Sequence, residues 1–282
     1  PREVAGCEPL SAGANLPGAL VMRAARKEAQ KKRAPTANSY KHRRYRYNAR
    51  PVFSQLRCCM ALESPPALEV RSLSCERDGR ALFAGLNFSL AAGSALLIEG
   101  ANGAGKSTLI RTLIGSASDF QGEILWRGRA YPGALLQLRQ SLLYIGHNAG
   151  VRRGLTPLEN LIWYGADRDA ALAALESVDL YGFEDLPCQQ LSAGQGRRVA
   201  LARLFLPNVP PLWILDEPLA ALDVQGVANL ERRFAGHLRE GGCVLLTSHQ
   251  PVSLPGLARV NLADFAVDPL YDACALEVLG GS

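Results

Sequence analysis

The hydrophobic pattern of the chain changes character at about residue 67. Ahead of that point, "KRAPTANSYKHRRYRYNARP" carries neither the two-residue nor the 3.6-residue apolar period. From there, "ALEVRSLSCERDGRALFAGLNFSL" alternates apolar and polar positions around Asp78-Gly79, which predicts a β-hairpin. "SALLIEG" (Ser94 to Gly100) is short and almost continuously apolar, as for a strand buried on both faces. It runs straight into a glycine-rich loop, after which "KSTLIRTLIG" has helical spacing. "GEILWRG" and "SLLYIGH" (Ser141 to His147) predict two more strands. "LTPLENLIWYG" predicts a helix with Thr156 as N-cap, Pro157 at the first position and Glu159 closing a capping box. Residues 169–180 continue helically, and "LSAGQGRRVALARLFL" reads as a helix entered at Ser192. "PLWILDEP" and "GCVLLTSHQ" are further buried strands, each ending in polar residues. Mixed strands followed by alternating strands and helices predict an α/β fold with ligands at the strand C-termini. No stretch recurs, so a single module is expected.

Chemistry enters at two of these strand ends. "GANGAGKS" fits G-x-x-x-x-G-K-[ST], the phosphate-binding loop. Gly100, Ala101, Asn102, Gly103, Ala104 and Gly105 would turn backbone N–H groups toward a β-phosphate. Lys106, Ser107 and Thr108 then open a helix whose N-terminus favours anions. Lys106 is expected on the β/γ oxygens and Ser107 on Mg²⁺. The second strand end presents Asp216, expected to hold Mg²⁺ through water, and Glu217, expected to polarise the attacking water. A general base of this kind is worth about 10²–10⁴ in rate.

Composition sharpens this reading. Residues 1–59 hold 13 Lys/Arg against 3 Asp/Glu, a net of +10, whereas residues 60–282 hold 18 against 23, a net of −5. The overall charge of +5 therefore describes the first 59 residues, and the remainder has no global bias toward nucleic acid. That basic stretch predicts a disordered extension, with Met60 as the expected start of the native chain. A basic arm for anionic lipid or nucleic acid is the functional alternative. Lys106 is the only lysine after residue 59, so the domain keeps one ammonium where it otherwise uses arginine. The seven cysteines show no C-x-x-C spacing, which fits a reducing compartment. No run reaches 18 apolar residues, so no spanning helix is expected and a membrane role needs a partner.

Three further stretches resemble the ATP-binding cassette (ABC) ATPases. "LSAGQ" (Leu191 to Gln195) is similar to that family's signature, usually LSGGQ. "LAALD" (Leu219 to Asp223) resembles its D-loop, and His249 after "LLTS" its switch histidine. All stand in the family's order, and the resemblance covers about residues 67 to 255. It implies a P-loop NTPase of ABC type, with a RecA-like parallel-sheet core, an antiparallel β subdomain and an α-helical signature subdomain over about 148–200. These would lie within one domain of residues 60–282. The resemblance also implies ATP and Mg²⁺ as ligands and a second copy of the chain in a head-to-tail sandwich over ATP. Ser192, Gly194, Gln195 and Asp223 would then serve nucleotide at the shared interface. A helix start carrying donors but no catalytic group suits charge stabilisation across such an interface.

Two departures from the family pattern stand out. Where members usually have Gln after the strand that follows the phosphate loop, this chain has His147, expected to join Glu217 and His249 as a catalytic group. Where members stack adenine on an aromatic residue, "CERDGRALF" offers the guanidinium plane of Arg77, or else Phe83. "YIGHNAG", "LTPLENL", "LSAGQGRRVALARL" and "PLWILDEPLAALD" are together similar to the ATPase subunits of cytochrome c maturation haem exporters. That resemblance implies integral membrane permease subunits as partners and a peripheral place on the cytoplasmic face of a bacterial inner membrane. It implies ATP hydrolysis coupled to release or export of haem or a haem-loaded chaperone. Another ABC importer or exporter is the alternative, followed by a soluble ABC ATPase on nucleic acid, which only the basic stretch favours. No nucleic-acid partner is expected. Cys188 and Cys243 lack a C-x-x-C-H context and are expected as buried apolar residues.

Overall fold

A computed structural model of the chain describes residues 67–77 and 79–267. The basic stretch of residues 1–59, Met60 and the hairpin residue Asp78 lie outside the described residues. The first sheet is antiparallel and four-stranded, in the order β2-β1-β4-β5. Its strands are β1 (Leu68–Arg77), β2 (Arg80–Leu90), β4 (Phe120–Trp126) and β5 (Arg129–Ala130). The hairpin closes between Arg77 and Arg80, with Gly79 at φ 75°, as the alternation around Asp78-Gly79 predicts.

The second sheet is parallel and five-stranded, in the order β6-β7-β8-β3-β9. It contains β3 (Ala95–Glu99), β6 (Leu142–Ile145), β7 (Leu212–Asp216), β8 (Cys243–Thr247) and β9 (Ala258–Asn261). The two-residue period of a strand explains why its central runs are apolar throughout. Leu96, Ile98, Leu212, Ile214 and Leu245 join a core shared with the antiparallel sheet and with α1 (Lys106–Leu113). Their neighbours Leu97, Trp213, Leu215, Val244 and Leu246 face the opposite way, against Leu230, Phe234 and Leu238 of α6 (Val224–Arg239).

A third core forms among α3 (Pro157–Trp163), α4 (Arg168–Glu176) and α5 (Ala193–Ala202). The predicted capping box of α3 is present: Glu159 N donates to Thr156 Oγ1, and Thr156 N to Glu159 Oε2. Helix α5 is capped in the same way by Ser192 and Gln195. Helix α4 stops at Glu176, short of the expected Leu180, and the chain then turns through Asp179 in the left-handed region. Helix α2 (Leu135–Gln140) and strand β9 were not foreseen. The first buries only Leu138, and every residue of the second keeps some exposure, so neither shows a clear apolar period. Cys188 and Cys243 are buried as expected, and burial raises both thiols above their ordinary pKa.

One buried titratable group makes a testable contribution to stability. The His237 ring, 3% exposed, stacks on Trp213 at 3.7 Å and 6°, and its Nε2–H donates to the Pro211 carbonyl at 3.0 Å. Burial pushes its pKa down, and Arg233 lowers it further. The Pro211 bond and Glu240 act the other way, less strongly than burial. A histidine with a depressed folded pKa binds its proton first in the unfolded chain. Its contribution is therefore complete above the ordinary value of about 6.5 and is lost as the pH falls below it. Denaturant midpoints measured between pH 8 and pH 5 should fall over the acidic part of that range. His237→Phe, which keeps a ring on Trp213, should flatten the fall.

Candidate active site

The C-terminal ends of β3, β7 and β8 converge on an open cleft of about 480 Å³. Ala101, Asn102, Gly103, Gly105, Lys106, Ser107 and Thr108 line one side of it, and His147, Asp216, Glu217 and His249 the other. Arg77 and Leu82 close the end formed by the antiparallel sheet. Gly100 and Ala104 are not at the cleft wall. Gly100 offers its carbonyl to Lys106 Nζ at 2.6 Å, and Ala104 packs against the first core.

The glycine loop has the conformation its sequence calls for. Gly103 and Gly105 are left-handed, at φ 84° and 100°, and such residues among ordinary ones curve successive N–H groups toward one side. Gly105 then caps α1. A methyl group on it would lie 3.1 Å from the Phe83 ring and 3.3 Å from Leu82 Cβ. Phe83 is fully buried beneath the loop, which removes it as a stacking surface and leaves Arg77 at the cleft.

The opposite wall is built on one carboxylate. Asp216 is 5% exposed; its Oδ1 accepts from Thr247 Oγ1 at 2.8 Å and its Oδ2 from Ser107 Oγ at 3.2 Å. The parallel register sets Thr247 directly beside Asp216, and Thr247 Oγ1 also accepts the Glu217 N–H at 2.9 Å. Glu217 lies in the left-handed region at φ 53°, a conformation that costs a non-glycine residue about 1–2 kcal/mol. Its Oε2 accepts from the His249 N–H at 3.0 Å, and its Oε1 is 3.5 Å from His249 Nε2. The same His249 Nε2 lies 3.4 Å from Lys106 Nζ. Lys106, Ser107, Asp216, Glu217 and His249 are thus brought together from three strand ends.

Ser192, Gly194, Gln195 and Asp223 do not line this cleft. Ser192 and Gln195 cap α5. Asp223 caps α6 through the Gly226 N–H at 2.7 Å and pairs with Arg198 at 2.8 Å. That backbone bond is the largest cause holding the Asp223 carboxyl below its ordinary pKa. Gly194 has a reason within its own chain to lack a side chain, because a methyl group there would lie 3.3 Å from the Ala221 carbonyl.

Two residues near the cleft escaped the sequence reading. Thr247 is one of the polar residues expected at that strand end, but only the register shows that it meets Asp216. Arg197 stands in the arginine-rich helix entered at Ser192, to which no separate role is assigned from the sequence. The signal was present in its spacing, since Arg197, Ala200, Leu201 and Leu204 follow one helical stripe and all are buried.

A parallel sheet carrying a phosphate loop after β3, with paired carboxylates at the end of β7 one strand away, defines a nucleoside-triphosphate hydrolase. The model of the ABC transporter family matches residues 83–220, and this chain belongs to that family, whose members bind and hydrolyse ATP. Among its relatives, the cytochrome c biogenesis ATP-binding export protein CcmA of Pseudomonas fluorescens (strain Pf0-1) is 49% identical over 209 residues. That match spans 72% of this chain and 99% of the relative. CcmA of Shigella flexneri is 53% identical over 189 residues, spanning 66% of this chain and 91% of the relative. The ATP-binding cassette MJ0796, solved as a dimer in a post-hydrolysis state bound to ADP and Pi, matches with a TM-score of 0.56 at 25% identity. It covers 65% of this chain and 88% of that one.

The packing under the loop yields a contrast between two glycines. Gly105→Ala forces a left-handed alanine against Phe83 and should lower both the denaturation midpoint and ATP affinity, by about 1–2 kcal/mol from the backbone alone. Gly196→Ala, in α5 with nothing within 4 Å of the new methyl, should be neutral or stabilising. Denaturation and ATP titration of the two variants check both outcomes.

Proposed function

We propose that this chain is the ATP-hydrolysing subunit of a membrane export complex serving cytochrome c biogenesis, with haem or a haem-loaded chaperone as the species released. The names of the relatives support the process. The observation that carries the chemistry is the convergence of Lys106, Ser107, Asp216, Glu217 and His249 at one cleft. Lys106 binds the β- and γ-phosphates, with the loop N–H groups around them. Ser107 and Asp216 would hold Mg²⁺. A hydroxyl and a carboxylate whose oxygens lie 3.2 Å apart are the hard oxygen donors this ion takes, and their small number suits its habit of keeping water and phosphate ligands. When bound, the ion supplies neutralisation of charge on the phosphates. Glu217 is the general base for the attacking water, His249 fixes its carboxylate and faces the γ-phosphate, and His147 fills the place of the family's usual Gln. Arg77 stacks on the adenine.

No helix among the described residues is long and apolar enough to cross a membrane. The relatives' role in export supports attachment through permease subunits, with this chain peripheral on the cytoplasmic face. Two copies close head to tail, and Ser192, Gly194, Gln195 and Asp223 complete the partner's site. Ser192 Oγ already accepts the Gln195 N–H at 3.2 Å, which leaves its proton for a phosphate oxygen.

Glu217→Gln tests the reading at two levels. ATP affinity should stay close to that of the unaltered chain, while turnover should fall by about 10²-fold or more as the base is lost. In cells that depend on this chain, covalent attachment of haem to c-type cytochromes should stop. Unchanged turnover would remove Glu217 from the mechanism. Normal haem attachment by an inactive variant would remove the export role.

A further inference from the structure

Arg197 is 8% exposed and lies on α5, five residues beyond the helix N-cap Ser192. Its guanidinium is held by carbonyl oxygens at the ends of two strands. Nη1 donates to Gly146 at 2.7 Å, and Nη2 donates to Asp216 at 2.7 Å and to Glu217 at 2.9 Å. Its Nε is buried and makes no hydrogen bond among the described residues. Burial lowers its pKa, against the opposing pull of the Asp216 and Glu217 carboxylates, yet an arginine stays charged in a protein. Desolvating a cation is costly, and the three carbonyl bonds offset part of that cost while holding those carbonyls in place.

What it fixes is the backbone of the general base. Glu217 is left-handed, and such a conformation persists where its surroundings over-determine it. Its N–H is held by Thr247 from β8 and its carbonyl by Arg197 from α5. The third carbonyl, Gly146, immediately precedes His147 at the cleft. A methyl group on Gly146 would meet the Tyr144 hydroxyl, so that side chain would have to shift to admit it. We infer that Arg197 is a positioning residue for hydrolysis, tying the helix that begins with the LSAGQ stretch to the backbone of Glu217 and to the loop of His147. The placement of the base then depends on where α5 sits. Movement of the α5 N-terminus is transmitted over about 7 Å of helix to the carbonyls that set the Glu217 side chain. This rests on the assignment of Glu217 as the base.

The test uses the full chain, with Arg197→Met and Arg197→Lys alone and with Arg197→Met combined with Glu217→Gln. ATP affinity and KM should remain near those of the unaltered chain, because Arg197 does not line the cleft. The kcat of Arg197→Met should fall about 10- to 100-fold, the scale expected of a misplaced catalytic group. Arg197→Lys, which retains a charge and can reach part of the carbonyl set, should recover part of that loss; it also carries the test if the Met variant fails to fold. In the double variant, Arg197→Met should add nothing to the loss caused by Glu217→Gln. An unchanged kcat in both single variants, a loss appearing in KM or ATP affinity, or additive losses in the double variant would overturn the inference. Glu217→Gln alone serves as the reference. Full turnover there would refute the base assignment and not the link through Arg197.

Discussion

The cleft is organised around the buried carboxylate of Asp216. A carboxylate with so little access to water needs compensation, and it receives hydrogen bonds from Thr247 on the neighbouring strand and Ser107 on the phosphate-loop helix. Those two bonds hold three elements together: β7, which carries the acid pair; β8, which leads to His249; and α1, which begins at Lys106. The apolar strands β3, β7 and β8 make this possible, because a parallel sheet buried on both faces leaves its chemistry at the strand ends.

Much of this was legible in the sequence because the local signals were strong and agreed with one another. The glycine spacing demanded positive φ, the apolar runs demanded buried strands, and the Thr156 and Ser192 caps were written in single residues. What remained hidden depends on register and helix face. Thr247 acquires its role only by lying beside Asp216, and Arg197 only because α5 turns that face toward β6 and β7. The end of α4 was misplaced because Val178 and Leu180, apolar and buried beyond Glu176, continue the apolar pattern past a left-handed turn at Asp179. Family resemblance supplied the pairing of distant stretches that periodicity alone cannot supply. It also supplied the expectation that Gly194 serves nucleotide at a shared interface, to which the structure adds a close approach to the Ala221 carbonyl of the same chain.

Helix α5 has two jobs under this account. Its N-terminus offers donors outward, and its buried stripe grips the base of its own cleft through Arg197. A site completed by a second copy and a base positioned by the same helix would make closure and catalytic geometry a single event. This distinguishes a switch from a hydrolase that merely binds its nucleotide, and it gives the export process proposed for the chain a place to couple.

Ala193→Asp probes whether the α5 N-terminus serves another copy's nucleotide. Ala193 is the exposed first residue of α5, where an acid suits the helix N-terminus of its own chain. Against a phosphate about 4 Å away, at an effective dielectric near 20, the added charge costs roughly 4 kcal/mol. ATP affinity and ATP-driven self-association of this variant should be measured side by side, with Lys106→Ala as the own-site control. Unaltered ATP affinity and no ATP-driven dimer are expected. A loss of affinity matching that of Lys106→Ala, or dimerisation as strong as in the unaltered chain, would contradict that role for the α5 N-terminus.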